Sequence, residues 1–238
     1  MLMFPYAHFL LDFERKHGGL THQNSAENTR AAVIVETRPG FFLPRVIRNV
    51  MYFLGPRWNL YVLCREEAGA YVHASLPGWD VWYRRVPGSG SRLGTEDYSR
   101  LLTSPGFWAS FPEPKLLVFQ ADSLLTSPDI DEFLGYDFVG APFGRFDEQY
   151  SANGGLSLRT RDVMRECLDR FPPPPGEPED RYFTEAVRQI GGAVPDLETA
   201  TRFAVETVYT AHPVGVHGTN QYWHNLEVAH KITQAIPY

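Results

Sequence analysis

Residues 115–123 read KLLVFQADS, an apolar run that stops abruptly on Gln120, Ala121 and Asp122. A carboxylate just past the end of a buried strand can hold a hard divalent cation, which in turn binds diphosphate oxygens. Side chains alternate along a strand, so Gln120 falls on the face of Asp122, where its amide can take a ribose hydroxyl or a metal-bound water. The following residues, ADSLLTSPD, are rich in turn formers, and Asp122 reads equally as a turn cap. Glu179 and Asp180 open an amphipathic segment. Acids there answer a helix dipole, and a carboxylate in that place can also take the proton of an incoming hydroxyl. His217 lies between Gly215 and Gly218, with His212 nearby. Neutral imidazole is the commonest nitrogen ligand for a metal, and glycines let backbone approach a ligand, although a lone loop histidine is more often structural. Asn153-Gly154-Gly155 reads as a turn leading into a strand, open to a substrate or a bulge. Phe143, Trp108 and Trp223 are candidates to stack on a sugar face or to fill the core.

These groups need a scaffold, and the pattern of apolar runs supplies one. AAVIV (31–35) is a short continuous apolar run, as expected of a strand buried on both faces, and it ends on Glu36-Thr37-Arg38. Further strands are expected at 58–64, 79–86, 115–119, 136–142, 154–159 and 202–207. Helices are expected at 44–54, 98–102, 160–171, 178–192 and 224–232, with a helical turn in 106–111 and a loop over 87–96. Four prolines at 172–175 stop one helix, and Gly191-Gly192 ends the next. Strands alternating with helices imply an α/β fold with a mostly parallel sheet. Residues 1–30 read as an N-terminal extension, either a flexible lead-in or a surface excursion, and 31–238 as a single domain.

The 238 residues are 43% hydrophobic and 21% charged, which suits a soluble globular chain rather than a disordered one. The net charge is −6 and no Lys/Arg run exists to track a phosphate backbone, which argues against a nucleic-acid polymer as partner. Cys64 and Cys167 have no partners at metal-ligand spacing and read as reduced core residues. No segment reaches the roughly 18 apolar residues of a membrane span. The chain is expected in the cytoplasm, or as the soluble catalytic part of a Golgi or membrane-associated enzyme. P-loop, dinucleotide-binding, α/β-hydrolase and paired-Cys zinc signatures are all missing from the sequence.

Taken in order, VIVETRP, KLLVFQADSLL, YDFVGAPF, NGGLSLR, PEDRYF and VGVHGTNQYW resemble the GT-A class of glycosyltransferases. More closely they resemble a family of glycosyltransferases known mainly as an uncharacterised domain in fungi and bacteria. The likeness spans about residues 31–223. It implies a GT-A, Rossmann-like sandwich and transfer of a sugar from a nucleoside-diphosphate donor, uridine diphosphate by default, to a glycan or small-molecule acceptor. In that class a strand-end Asp-x-Asp binds the metal and the donor. Here Gln120 stands in the first position, so only Asp122 matches as the metal-contacting carboxylate. By the same resemblance Asp180 matches the base of inverting members, with Glu179 beside it, and His217 completes the shell of Mn²⁺ or Mg²⁺. Asn153, Gly154 and Gly155 match the turn facing donor and acceptor. Glu36, Thr37 and Arg38 match the strand end that holds base and ribose, and Arg38 or Arg159 would add charge at the diphosphate. The other reading kept open is a nucleotide-sugar or carbohydrate-binding module that has lost catalysis. A nucleotidyltransferase would carry a basic, Gly-rich loop after the first strand, which ETRPGFFLPR only faintly resembles.

Overall fold

The computed structural model describes residues 4–87, 92–143 and 150–218. A six-stranded sheet forms its middle: β1 (Arg30–Val35), β2 (Asn59–Cys64), β3 (Trp82–Arg85), β4 (Lys115–Phe119), β6 (Phe138–Phe143) and β7 (Ser151–Thr160), in the order β3-β2-β1-β4-β7-β6. The strands β3, β2, β1 and β4 are parallel, and β7 runs antiparallel to both of its neighbours. Continuous apolar runs on β1, β2 and β4 are buried throughout because helices cover both faces. On one face Ala32, Ile34, Val62, Leu117 and Phe119 meet α1 (Phe4–His17), α2 (Phe42–Leu54) and α3 (Glu66–Ser75). On the other, Ala31, Val33, Leu116 and Val118 meet α5 (Pro105–Ala109), α6 (Arg161–Arg170) and α7 (Glu179–Gln189). The helix α4 (Thr95–Leu102) packs against α5 and α7. The expectation of an α/β sandwich with a mostly parallel sheet thus matches the architecture.

Several expectations need correction. The N-terminal stretch is not a loose lead-in: α1 buries Tyr6, Phe9, Leu10 and Phe13 against α2. That i, i+3, i+4, i+7 spacing is a helical stripe, but no capping residue precedes it to mark a start. Residues after α1 are also tied down. Asn24 and Ser25 exchange hydrogen bonds with Asn59 and Leu60, and Arg48 donates to the carbonyl oxygens of Gly18 and Leu20. The expected strand over 202–207 is instead the end of α8 (Leu197–Phe203) followed by the two-residue strand β8 (Ala204–Val205). Asp196 caps that helix by accepting from the Thr199 N–H. The β8 strand joins β9 (Gly215–Val216) and β5 (Leu124–Leu125) in a small second sheet, order β5-β9-β8, too short for any periodic signal. Asn153-Gly154-Gly155 lie within β7 rather than in a turn before it. The helix expected at 224–232 lies outside the described residues.

If α1 is part of the core, Leu10→Ala should cost about 2–5 kcal/mol of stability. Leu11→Ala, on the exposed face of the same helix, should change it by less than about 0.5 kcal/mol. Urea unfolding of the two variants makes the comparison, and equal small effects would mean that α1 is not docked.

Candidate active site

Sheet order decides where these side chains gather. From β1 the chain moves outward to β2 and β3, then returns to place β4 on the other side of β1. The carboxyl ends of β1 and β4 therefore border a crevice at the point where the direction of winding changes, a usual place for ligands in open α/β sheets. Because β7 is antiparallel to β4, its first half lies at the same edge: Phe119 pairs with Leu156, and the Gln120 N–H donates to the Gly155 carbonyl at 2.9 Å. The cleft there has a volume of about 580 Å³. It is lined by Glu36, Thr37, Arg38, Gln120, Asp122, Phe143, Asn153, Gly155, Glu179, Asp180 and His217, together with Tyr98, Arg92 and Glu206.

The turn after β4 is held from both sides. Ser123 Oγ donates to the Gly155 carbonyl at 2.9 Å, and the Tyr6 hydroxyl of α1 donates to the Ala121 carbonyl at 3.0 Å. Gln120 Oε1 and Asp122 Oδ1 then lie 3.2 Å and 3.5 Å from His217 Nε2. On the far side of the ring, His217 Nδ1 lies 3.5 Å from Glu206 Oε1. Burial pulls the imidazole pKa down, but the carboxylates of Glu206, Asp122 and Asp180 outweigh it, and the net displacement is upward. The Gln120 contact is a hydrogen bond in which Nε2–H donates to the amide oxygen. The amide oxygen, carboxylate and imidazole are also donors of types that a divalent ion takes. Among the described residues no three His, Cys, Asp or Glu side chains are grouped to hold a metal. The third donor here is the Gln120 amide, and the rest of a shell would fall to water or ligand.

Asp180 stands in the first turn of α7, partly exposed to the cleft. Its Oδ1 accepts from the Arg181 N–H at 2.8 Å and its Oδ2 from the Gly154 N–H at 3.3 Å. Glu179 has a different place. It is buried and forms a bidentate pair with Arg159 (2.6 and 3.0 Å), while the guanidinium is boxed by the rings of Phe138, Trp108 and Phe183. Burial pushes the Glu179 carboxyl above its ordinary pKa, against the pull of Arg159. Arg159, fully enclosed and paired, is therefore not placed to meet a diphosphate. Trp108 is likewise core, its Nε1–H donating to the Leu102 carbonyl. Phe143 lines the cleft, His212 is exposed away from it, and Trp223 lies outside the described residues.

Gly154 and Gly155 also serve differently from expectation. Neither has a positive φ. A Cβ on Gly154 would overlap the Glu179 carboxylate and the Arg159 guanidinium, and one on Gly155 would overlap the His217 ring. The close approach they allow is by the protein's own side chains, and Gly155, but not Gly154, borders the cleft. At the β1 end, Glu36 accepts from the Arg38 backbone N–H and both arms of its guanidinium, so its carboxylate orients Arg38. Thr37 is buried, and its hydroxyl accepts from the Leu93 N–H. Arg38 and Thr37 also border a second, wider groove of about 890 Å³ at the ends of β2 and β3, with Arg65, Tyr83 and Arg85. Glu206 was not singled out by the sequence analysis. Its signal resembles the one that marks Asp122: an acid at the end of a short apolar run, here directly after Ala204-Val205.

The two acids of α7 should separate experimentally. Glu179→Gln leaves a buried guanidinium without its counter-charge and should cost about 3–5 kcal/mol. Asp180→Asn should leave stability within about 0.5 kcal/mol. Thermal melts of the two variants decide, and a large loss in Asp180→Asn would make that residue structural.

The backbone is similar to that of the apo form of mouse xyloside xylosyltransferase 1, with a TM-score of 0.53 and 12% identity over 84% of this chain and 98% of that one. It is also similar to the apo form of the glycosyltransferase GlyE of Streptococcus pneumoniae TIGR4, with a TM-score of 0.53 and 13% identity over 89% of this chain and 65% of that one. These likenesses show the fold, an α/β GT-A sandwich. No curated protein matches the sequence. Residues 90–217, more than half of the chain and including Gln120, Asp122, Asp180 and His217, match the family described as "Protein of unknown function (DUF5672)", and the chain belongs to that family.

Proposed function

We propose that the protein is an inverting glycosyltransferase that moves a sugar from a nucleoside diphosphate, uridine diphosphate by default, to an acceptor hydroxyl. One observation carries the reading: Gln120, Asp122 and His217 converge in the cleft that Asp180 of α7 also lines. The cleft is also rich in acids, with Glu36, Asp122, Asp180 and Glu206 against Arg38, Arg92 and His217. A diphosphate entering it meets like charge unless a cation accompanies it. Gln120, Asp122 and His217 are the residues that would hold Mn²⁺ or Mg²⁺. When bound, that ion supplies charge to offset the developing negative charge on the leaving diphosphate. The two structurally similar proteins are glycosyltransferases by name, which agrees with this class.

In this reading Arg38, oriented by Glu36, lies at the diphosphate end of the site. The nucleoside runs from the β1 end toward the groove beside Arg65 and Tyr83. Asp180 accepts the proton of the acceptor hydroxyl as that oxygen bonds to the anomeric carbon and the bond to the diphosphate breaks. One displacement inverts the configuration. Phe143 offers an apolar ring at the cleft for a sugar face. Glu179 takes no part in proton transfer; with Arg159 it holds the first turn of α7, and its own N–H is received by Ser99 Oγ of α4. The pairing of Gln120 with His217 also suits a module that binds donor without turnover, so the assay must measure transfer as well as binding.

Titration calorimetry with a panel of nucleoside diphosphates, each with Mn²⁺ and with chelator, should show one nucleotide bound only when the metal is present. Asp180→Asn should keep that binding and lose about 10²–10⁴-fold in transfer. Binding unaffected by chelator would remove the metal from the reading. An active Asp180→Asn enzyme would remove the base. Binding with no transfer by the unaltered protein would make it a binding module.

A further inference from the structure

The cleft has a neighbour that the reaction described above leaves unused. A groove of about 470 Å³ lies between α4 and the four-proline segment that precedes α7. It shares Thr95, Ser99 and Pro178 with the wall of the cleft, so the two adjoin along the start of α4. Pro178 stands two residues before Asp180, and its carbonyl receives the Tyr182 N–H at 3.1 Å in the first turn of α7. The groove therefore borders the turn of helix that carries the proposed base.

Its two walls differ in chemistry. Along α4, Thr95, Ser99 and Thr103 recur at every fourth residue and so lie one above another on a single face. Hydroxyls both donate and accept. Thr103 Oγ1 gives its proton to the Ser99 carbonyl at 2.8 Å, which leaves its oxygen to accept from a ligand. Glu96 and Arg100 flank that row, and Arg100 is paired with Glu96 and Asp97 at 2.8 and 3.0 Å. The facing wall is made by Pro173, Pro174, Pro175 and Pro178, with Gly176 and Glu177 between them. The proline rings are apolar and fix the backbone. Gly176, at a φ of +77°, turns the chain so that the Glu177 N–H reaches the Pro174 carbonyl at 3.2 Å. A wall so constrained loses little freedom when a ligand settles on it.

Hydroxyls and carboxylates opposite rigid apolar rings match a sugar, whose ring has apolar C–H faces and a rim of hydroxyls. Among the described residues no large aliphatic or aromatic side chain lines the groove, which disfavours an acyl chain. Two acids and one arginine already paired offer little to a polyanion. We propose that this groove is the acceptor site and holds an oligosaccharide. Its terminal hydroxyl reaches Asp180 across Thr95 and Pro178, and further sugar units lie between α4 and the prolines. The role of Asp180 in this proposal rests on the glycosyltransferase reading; the groove's preference for a chain of sugars does not.

The test applies the full chain, labelled with a fluorophore, to an array of mono- to tetrasaccharides, with and without uridine diphosphate and Mn²⁺. At least one oligosaccharide should be retained, and its terminal monosaccharide alone should not. Glu177→Ala, which removes a carboxylate from the proline wall, should weaken binding of that glycan about tenfold. Thr103→Trp, which fills the groove from α4, should weaken it by about tenfold or more. Calorimetry should show nucleotide affinity unchanged in both. If no arrayed oligosaccharide is retained, or if neither variant weakens its binding, the inference is overturned and the donor site is untouched. Retention that depends on Thr103 and Glu177 in a protein that binds no nucleotide supports the groove and removes the donor reading. Should Thr103→Trp fail to fold, Glu177→Ala alone decides.

Discussion

Side chains missing at positions 154 and 155 are the constraint on which the rest of the site depends. The sheet brings β7 beside β4 through regular pairing, and nothing in that ladder requires glycine, since neither residue has a left-handed φ. The requirement comes from side chains packed against the strand. The Glu179–Arg159 pair fills the space over Gly154, and the His217 ring fills the space over Gly155. Interiors are packed too closely to yield a methyl group at either place without moving what lies against it. Two bare backbone positions therefore let an ion pair between β7 and α7 and an imidazole from the end of the small sheet settle against the same strand.

Those two arrivals treat charge in opposite ways. Beneath the cleft, Glu179 and Arg159 neutralise one another in a box of aromatic rings, which makes them a fixed support for the start of α7. At the cleft itself, Asp122 and Glu206 face a single imidazole, with Asp180 near enough to add to their field. The support is balanced internally, whereas the open part carries more acid than base and so has a standing affinity for positive charge. That contrast separates two adjacent acids, Glu179 and Asp180, that are chemically alike in sequence.

The N-terminal helix belongs to the same argument. Tyr6 reaches from α1 to the carbonyl of Ala121, between Gln120 and Asp122. Together with Ser123 and the Gly155 carbonyl, it makes the turn after β4 a clamped piece of backbone rather than a free loop. A strand end that must hold two donors at a set distance benefits from such support, because side chains on a mobile turn would spread over many geometries.

Much of this was legible in the residues. Continuous apolar runs at 31–35 and 115–119 named the buried parallel strands, because only a strand covered on both faces is apolar at every position. Residues following those runs, Glu36 to Arg38 and Gln120 to Asp122, fell at the sheet edge for the same reason. Asp180 and His217 were recognisable by type and order, and the structure brings both to the cleft. What only the tertiary structure decided was which partner each group has. Glu179, Arg159 and Trp108 were candidates for ligand contact and lie instead in the core. Gly154 and Gly155 make room for neighbours separated from them by tens of residues, Glu36 is spent on Arg38, and Glu206 is joined to His217 by strands of two residues. Periodicity speaks for a segment and the segment's own burial. Partnership between side chains depends on register, crossover and packing between distant segments, which no local pattern records.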